Sequence, residues 1–193
     1  MLFVSFLFAM QEPGGPFTLP GAEVTGGPLQ FVNPSFEIDA ADCLALGSGS
    51  LALYGWSNMG APAGGVPGVS CGTTAGYQGA VAQPIDRVMV GLKGSGNGLS
   101  QIVVGHTAEK NYSMTFYAAS LGPVSILKVM ADSNVIFNQE PPMGPLVMYT
   151  ATYVAAGTFV TFGFVNGDPQ NTNNTVFLDS VAINDPSVPA LAV

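Results

Sequence analysis

The sequence predicts an all-β protein, a sandwich of short antiparallel strands, on three observations. Apolar or alternating runs recur roughly every ten residues between Leu29 and Ile183. Gly, Pro, Asn or Asp bounds most of them. No amphipathic window of helical period runs longer than about ten residues.

The expected strands follow in order: Leu29–Val32, Ala52–Trp56, Arg87–Leu92, Ser100–Val104, Tyr112–Ala118 and Val124–Ala131, then Asn134–Asn138, Val147–Tyr153, Thr158–Val165 and Thr175–Ile183. Two of them carry the signal most clearly. Tyr112-Ser-Met-Thr-Phe116 alternates large apolar with small polar residues, as a half-buried strand does. In Thr158–Val165, Val160, Phe162 and Phe164 share one face, while Phe159, Thr161 and Gly163 share the other. Gly91-Leu-Lys-Gly-Ser-Gly-Asn-Gly-Leu-Ser reads as a hairpin connection. It lacks the Gly-x-x-x-x-Gly-Lys-Ser/Thr order of a phosphate loop.

Three segments lie outside this pattern. Residues 1–28 are an apolar arm and a Gly/Pro-rich linker, 29–185 are the sandwich, and 186–193 are an extended tail. Written as a strand, the arm places Leu2, Val4, Phe6, Phe8 and Met10 on one face. Burying five such side chains is worth roughly 8–15 kcal/mol gross, so the arm must be removed, inserted in a membrane or packed in a groove. No Lys or Arg precedes Arg87, and Phe8-Ala9-Met10 is a poor signal-cleavage pattern. The apolar run stops at Gln11, short of the roughly 20 residues of a membrane span. A docking strand is therefore preferred to an uncleaved signal or a membrane anchor. The stretch from Asp39 to Pro84 has few strand signals and reads as surface loop, of the kind that forms contacts or carries function.

Charged residues make up only 8% of the 193-residue chain, against about 25% in ordinary domains, so much of the surface must be uncharged or covered. The net charge of −8, with only Arg87, Lys93, Lys110 and Lys128 as cations, excludes nucleic acid and anionic membrane surfaces as partners. Cys43 and Cys71 lack zinc or redox spacing. They fit a disulfide closing an irregular loop, worth about 3–4 kcal/mol, with two buried thiols as the alternative. Asn111 and Asn173 begin N-glycosylation triplets.

Little in the chain suggests catalysis. His106 is the only histidine and sits just after an apolar run, where it reads as a turn residue. The scattered acids single out no glycosidase pair. The chain is expected not to be an enzyme.

One constellation of short motifs remains. Asn33-Pro-Ser-Phe-Glu37 is followed by Gly55-Trp56, Leu99-Ser-Gln101, Tyr112-Ser-Met-Thr-Phe116 and Phe177-Leu-Asp179-Ser-Val181. That order resembles the carbohydrate-binding-module and galactose-binding-like jelly rolls, over about Leu29 to Ile183. The resemblance implies a jelly-roll sandwich and a structural calcium ion between Glu37 and Asp179. It also implies exposed aromatics stacking on sugar rings, for which Tyr54, Trp56 and Tyr77 are the candidates, although the family's Gly-Trp tryptophan is often core.

Two functions compete. The first is a structural subunit of an extracellular or cell-surface filament, a homopolymer in which the arm of one copy fills a groove in the next by strand addition. The second is a secreted carbohydrate-binding module. The first accounts for the arm and the sparse charge together; the second accounts for the fold.

Overall fold

The computed structural model describes residues 29–36, 53–60, 69–72, 85, 88–168 and 174–186. Ten strands are present among them: β1 Ser57–Met59, β2 Val69–Gly72, β3 Met89–Lys93, β4 Gly98–Val104 and β5 Asn111–Ser120, then β6 Leu127–Ala131, β7 Asn134–Gln139, β8 Val147–Val154, β9 Phe159–Asn166 and β10 Thr175–Asn184. They form two five-stranded sheets, ordered β1-β4-β9-β6-β7 and β2-β3-β10-β5-β8, in which every strand pair is antiparallel. The result is a jelly-roll β-sandwich, as the sequence predicts.

Alternation builds the layers. Tyr112, Met114, Phe116 and Ala118 on β5 point between the sheets, and so do Val160, Phe162 and Phe164 on β9. Phe116 meets Phe164 and Phe137 edge-on, with ring centroids 5.9 and 5.1 Å apart. This interior is filled by the chain's own side chains: Phe36, Phe116, Phe162 and Phe164 have no exposed surface.

The second faces differ. On the outside of the first sheet Met59, Ile102, Val104, Phe159 and Val135 meet solvent in whole or part. Gly163 lies beneath Met59 and Met130, where a Cβ would stand 2.9 Å from the Met130 methyl carbon and 3.2 Å from the Met59 sulfur. On the outside of the second sheet Met89, Ala119 and Phe177 are fully buried in a small core of their own, with Leu121 and Leu146 packed against it.

Four expectations change. Leu29–Val32 is not a ladder strand, and the Ala52–Trp56 run ends in a turn, with pairing beginning only at Ser57. A strand, Val69–Gly72, lies inside the stretch that reads as loop. The glycine-rich segment after β3 is not a hairpin, because β3 and β4 belong to different sheets and the segment crosses from one to the other. Glycine turns signal a reversal of direction, but not which sheet receives the next strand.

The arm residues Leu2, Val4, Phe6, Phe8 and Met10, together with Glu37, Cys43, Tyr77, Asn173 and the tail from Ser187 on, lie outside the described residues. Cys71 falls on β2 opposite Val90. No helix among the described residues is long and apolar enough to cross a membrane.

Candidate functional site

Residues of four motifs that are scattered in sequence, Asn33, Trp56, Gln101 and Val181, meet through hydrogen bonds beside the middle of β4. Asn33 and Phe36 both take positive φ, 53° and 63°, and the Phe36 N–H donates to the Asn33 carbonyl at 3.2 Å, so Asn33-Pro-Ser-Phe36 is a tight turn. The Trp56 indole Nε1 donates to the same Asn33 carbonyl at 3.1 Å, and Asn33 Nδ2 donates to the Tyr54 carbonyl at 3.3 Å. From β4, the Gln101 side chain accepts from Val32 N–H at 2.6 Å and donates to the Val32 and Gly55 carbonyls at 3.0 and 2.6 Å. The Val181 N–H donates to the Pro34 carbonyl at 2.9 Å.

Gln101 therefore does for Val32 what a neighbouring strand would have done, satisfying backbone groups that no ladder reaches. Gly55 is required at its place: φ is 81°, and a Cβ would lie 2.7 Å from a Val32 methyl. Trp56 stacks on Phe31 at 5.4 Å and packs edge-on to Phe164 at 5.9 Å. It is 6% exposed, which leaves no ring face for a sugar, so Trp56 is corrected from glycan candidate to core residue. Tyr54 is 59% exposed. This junction organises the fold.

Asp179, two positions before Val181 on β10, lies on the outer face of the second sheet opposite Tyr117 and is fully buried. Its Oδ2 accepts from Ile85 N–H at 2.8 Å and its Oδ1 from Ser180 Oγ at 3.3 Å. Ser180 has φ 47°, and the register with β5 slips between Asp179 and Ala182. A calcium ion takes about six to eight oxygen ligands. No cluster of three or more His, Cys, Asp or Glu occurs among the described residues, and Glu37 lies outside them. Structural calcium thus rests on the resemblance alone.

A candidate ligand surface lies on the outer face of the second sheet, across β10, β5 and β8. The register of β5 with β8 and β10 sets Tyr117 opposite Met148 and Asp179, Thr115 opposite Thr150 and Ala182, and Ser113 opposite Thr152 and Asn184. Directly opposed residues share a face, and this face is the outer one, since Met114 and Phe116 point inward. Thr150, Thr152 and Asn184 are exposed, and Ser113, Thr115 and Tyr117 are half-buried. Asn111, the first glycosylation acceptor, is exposed at the end of the same row. Between Ser113 and Tyr117 and between Met148 and Thr152 there is no charged residue. The result is a strip of hydroxyls and amides beside one tyrosine ring.

No family model and no curated protein matches the sequence. Solved structures do match in shape. A cyclase from Fischerella sp. TAU in complex with 4-(1H-indol-3-yl)butan-2-one superposes with a TM-score of 0.61 at 15% identity, over 80% of this chain and 96% of that one. The K2 cleaved adhesin domain of Lys-gingipain superposes with a TM-score of 0.53 at 15% identity, over 78% and 96%. A carbohydrate-binding module in complex with beta-1,4-galactotriose aligns more loosely, with a TM-score of 0.45 at 16% identity, over 80% and 97%. At these identities the likeness to the first two establishes the fold alone, a jelly-roll β-sandwich.

His106 lies at the opposite end of β4 from Gly98 and is buried. Its Nε2 shares a hydrogen bond with the Tyr153 hydroxyl at 2.9 Å, while Nδ1 approaches the Val103 backbone without a bond of good geometry. The ring sits edge-on to Tyr112, 4.9 Å away. Lys110 lies 5.2 Å from the centre of the Tyr112 ring and forms an ion pair with Asp185 at 2.6 Å. Burial lowers the affinity of His106 for a proton, against weaker opposing pulls from the Val103 backbone, Asp132 and Asp185. Burial, with Tyr112 and Asp185 adding to it, raises Tyr153 well above the ordinary tyrosine value. A neutral imidazole and a neutral phenol share this site, wedged among aromatic rings, as a packed core histidine would be.

Proposed function

We propose that this chain is a non-catalytic, extracellular or surface-associated binding module, and that its ligand is a neutral polysaccharide taken on the outer face of β10, β5 and β8. The observation that carries the reading is the uncharged row Ser113, Thr115, Thr150, Thr152 and Asn184 beside Tyr117. A pyranose offers an apolar C–H face and a rim of hydroxyls. A tyrosine ring suits the first, and side-chain hydroxyls and amides, which both donate and accept, suit the second. β5, β8 and β10 contain no Lys or Arg, which with the net charge of −8 favours a neutral sugar over an acidic one. The carbohydrate-binding-type fold is compatible with this use.

Affinity electrophoresis against a panel of neutral polysaccharides tests it. Retardation by at least one polymer is expected, lost in Tyr117→Ala and weakened in Thr150→Ala, with Tyr54→Ala unchanged. No retardation by any polymer, or retardation untouched by Tyr117→Ala, overturns the reading.

One observation favours a second reading, a filament subunit joined through the Leu2–Met10 arm. Apolar side chains stand exposed on the first sheet, with Ile102 62%, Val104 59% and Phe159 58% accessible, which is costly unless something covers them. Because the interior is already filled, an arm would add to a sheet edge or lie on this face rather than complete a core. Electron microscopy of the full chain beside a variant lacking residues 1–10 decides: fibres from the first alone support the reading, and no fibres from either overturn it.

A further inference from the structure

We propose that β8 is the pairing edge of a two-fold dimer, in which β8 of one copy lies antiparallel to β8 of a second and the two second sheets join into one ten-stranded sheet. Among the described residues β8 pairs only with β5, through eight consecutive residues from Val147 to Val154 without a register shift, and it ends the sheet. Natural edge strands are usually short, bulged, or guarded by charge or proline. This one has none of those guards: Val147-Met-Tyr-Thr-Ala-Thr-Tyr-Val154 contains no charge, no proline and no glycine. Met148 and Val154 stand 56% and 57% exposed along it.

The occupant is argued from the strand's own order. Tyr149-Thr150-Ala151-Thr152-Tyr153 reads the same in both directions. A two-fold axis through Ala151 sets Thr150 of one copy opposite Thr152 of the other, Tyr149 opposite Tyr153, and Met148 opposite Val154. Each is a like-with-like cross-strand pair, and Thr–Thr and aromatic pairs are among those that stabilise sheets. The smallest side chain lies on the axis, where the two copies meet themselves. An isologous contact needs a patch complementary to itself under rotation, and a palindromic strand meets that need in one element.

Charge points the same way. Each copy carries −8, so a self-contact must avoid opposing like charges. The strands on this side of the sandwich, β5, β7 and β8, contain no Asp, Glu, Lys or Arg. The pairing does not depend on the carbohydrate reading, although it would place Thr150 and Thr152 of both copies at the centre of one continuous outer face.

Sedimentation of the full chain over a range of concentrations tests the dimer, and paired cysteine variants test its register. Wild type is expected to sediment as a dimer, and the double variant Thr150→Lys/Thr152→Lys as a folded monomer, because both positions are exposed. Mixing Thr150→Cys with Thr152→Cys chains under oxidation should give a cross-linked heterodimer above the level that either gives alone. A monomeric wild type overturns the proposal, and so does a dimer indifferent to the lysines. Equal cross-linking in all three cysteine samples overturns it as well. A dimer lost on removal of residues 1–10 but retained in the lysine variant assigns the contact to the arm instead. None of these outcomes bears on whether Tyr117→Ala abolishes polysaccharide binding.

Discussion

The side-chain amide of Gln101 donates to the Gly55 carbonyl at 2.6 Å, tying the middle of β4 to the turn that delivers Trp56 into the core. The same amide brackets Val32 through both its N–H and its carbonyl. One buried side chain thus closes the gap between a ladder strand and two segments that join no ladder.

Gln101→Leu keeps the bulk and removes all three bonds, leaving the Val32 and Gly55 backbone groups without their partner. A loss of about 2–4 kcal/mol is expected in urea unfolding. Gln101→Glu should cost at least as much, because an acceptor then faces two carbonyl oxygens. A loss no larger than that of an ordinary surface substitution would show that water replaces the amide.

Trp56→Phe removes the indole N–H bond to Asn33 while keeping a ring against Phe31. It should destabilise by about 1–2 kcal/mol, and Trp56→Ala by about 3–5 kcal/mol. Polysaccharide retardation by the folded Trp56→Phe chain should match wild type, since that ring is internal.

Val124 is a β-branched residue at φ 66°, a conformation that such side chains rarely take. Its N–H donates to Glu140 Oε1 at 2.6 Å, a backbone contact that any residue except proline can keep. Val124→Asn should therefore raise stability by about 1 kcal/mol, read as a higher urea midpoint. An unchanged or lower midpoint would mean that the valine methyls contribute more than the backbone loses.

His106 makes stability depend on pH. Burial lowers its folded-state pKa below the ordinary 6.5, so the unfolded chain binds this proton more readily. Its contribution is whole above about pH 6.5 and declines as pH falls through that value towards the folded pKa. His106→Gln, which keeps a polar partner for Tyr153, should flatten the drop in urea midpoint between about pH 7.5 and 5.5. Parallel drops in wild type and variant would assign the loss to carboxylates.

Much of the fold was legible because its signal is local. Alternation along Tyr112–Phe116 and Val160–Phe164 marks inward and outward faces without knowledge of any partner, and both runs are strands with those faces. The motif order Asn33-Pro-Ser-Phe, Gly55-Trp56, Gln101 and Asp179-Ser-Val181 pointed to the jelly roll, and the structure joins Asn33, Trp56, Gln101 and Val181 through hydrogen bonds. What that meeting does was not legible. In the sequence Trp56 reads as core sooner than as a sugar platform, and the rings of Phe31, Phe36 and Phe164 around it decide for core.

The sequence alone determined that the chain is built from short strands, that its surface is sparsely charged, and which side of each strand is greasy, because those properties belong to residues within a few positions of one another. Tertiary structure decided that β5 lies between β10 and β8, which lines Tyr117 up with Thr150, Thr152 and Asn184, and that β8 ends its sheet. Strand neighbours are chosen by long-range pairing and by how two sheets close over a shared interior. No periodicity within one strand records which partner lies beside it.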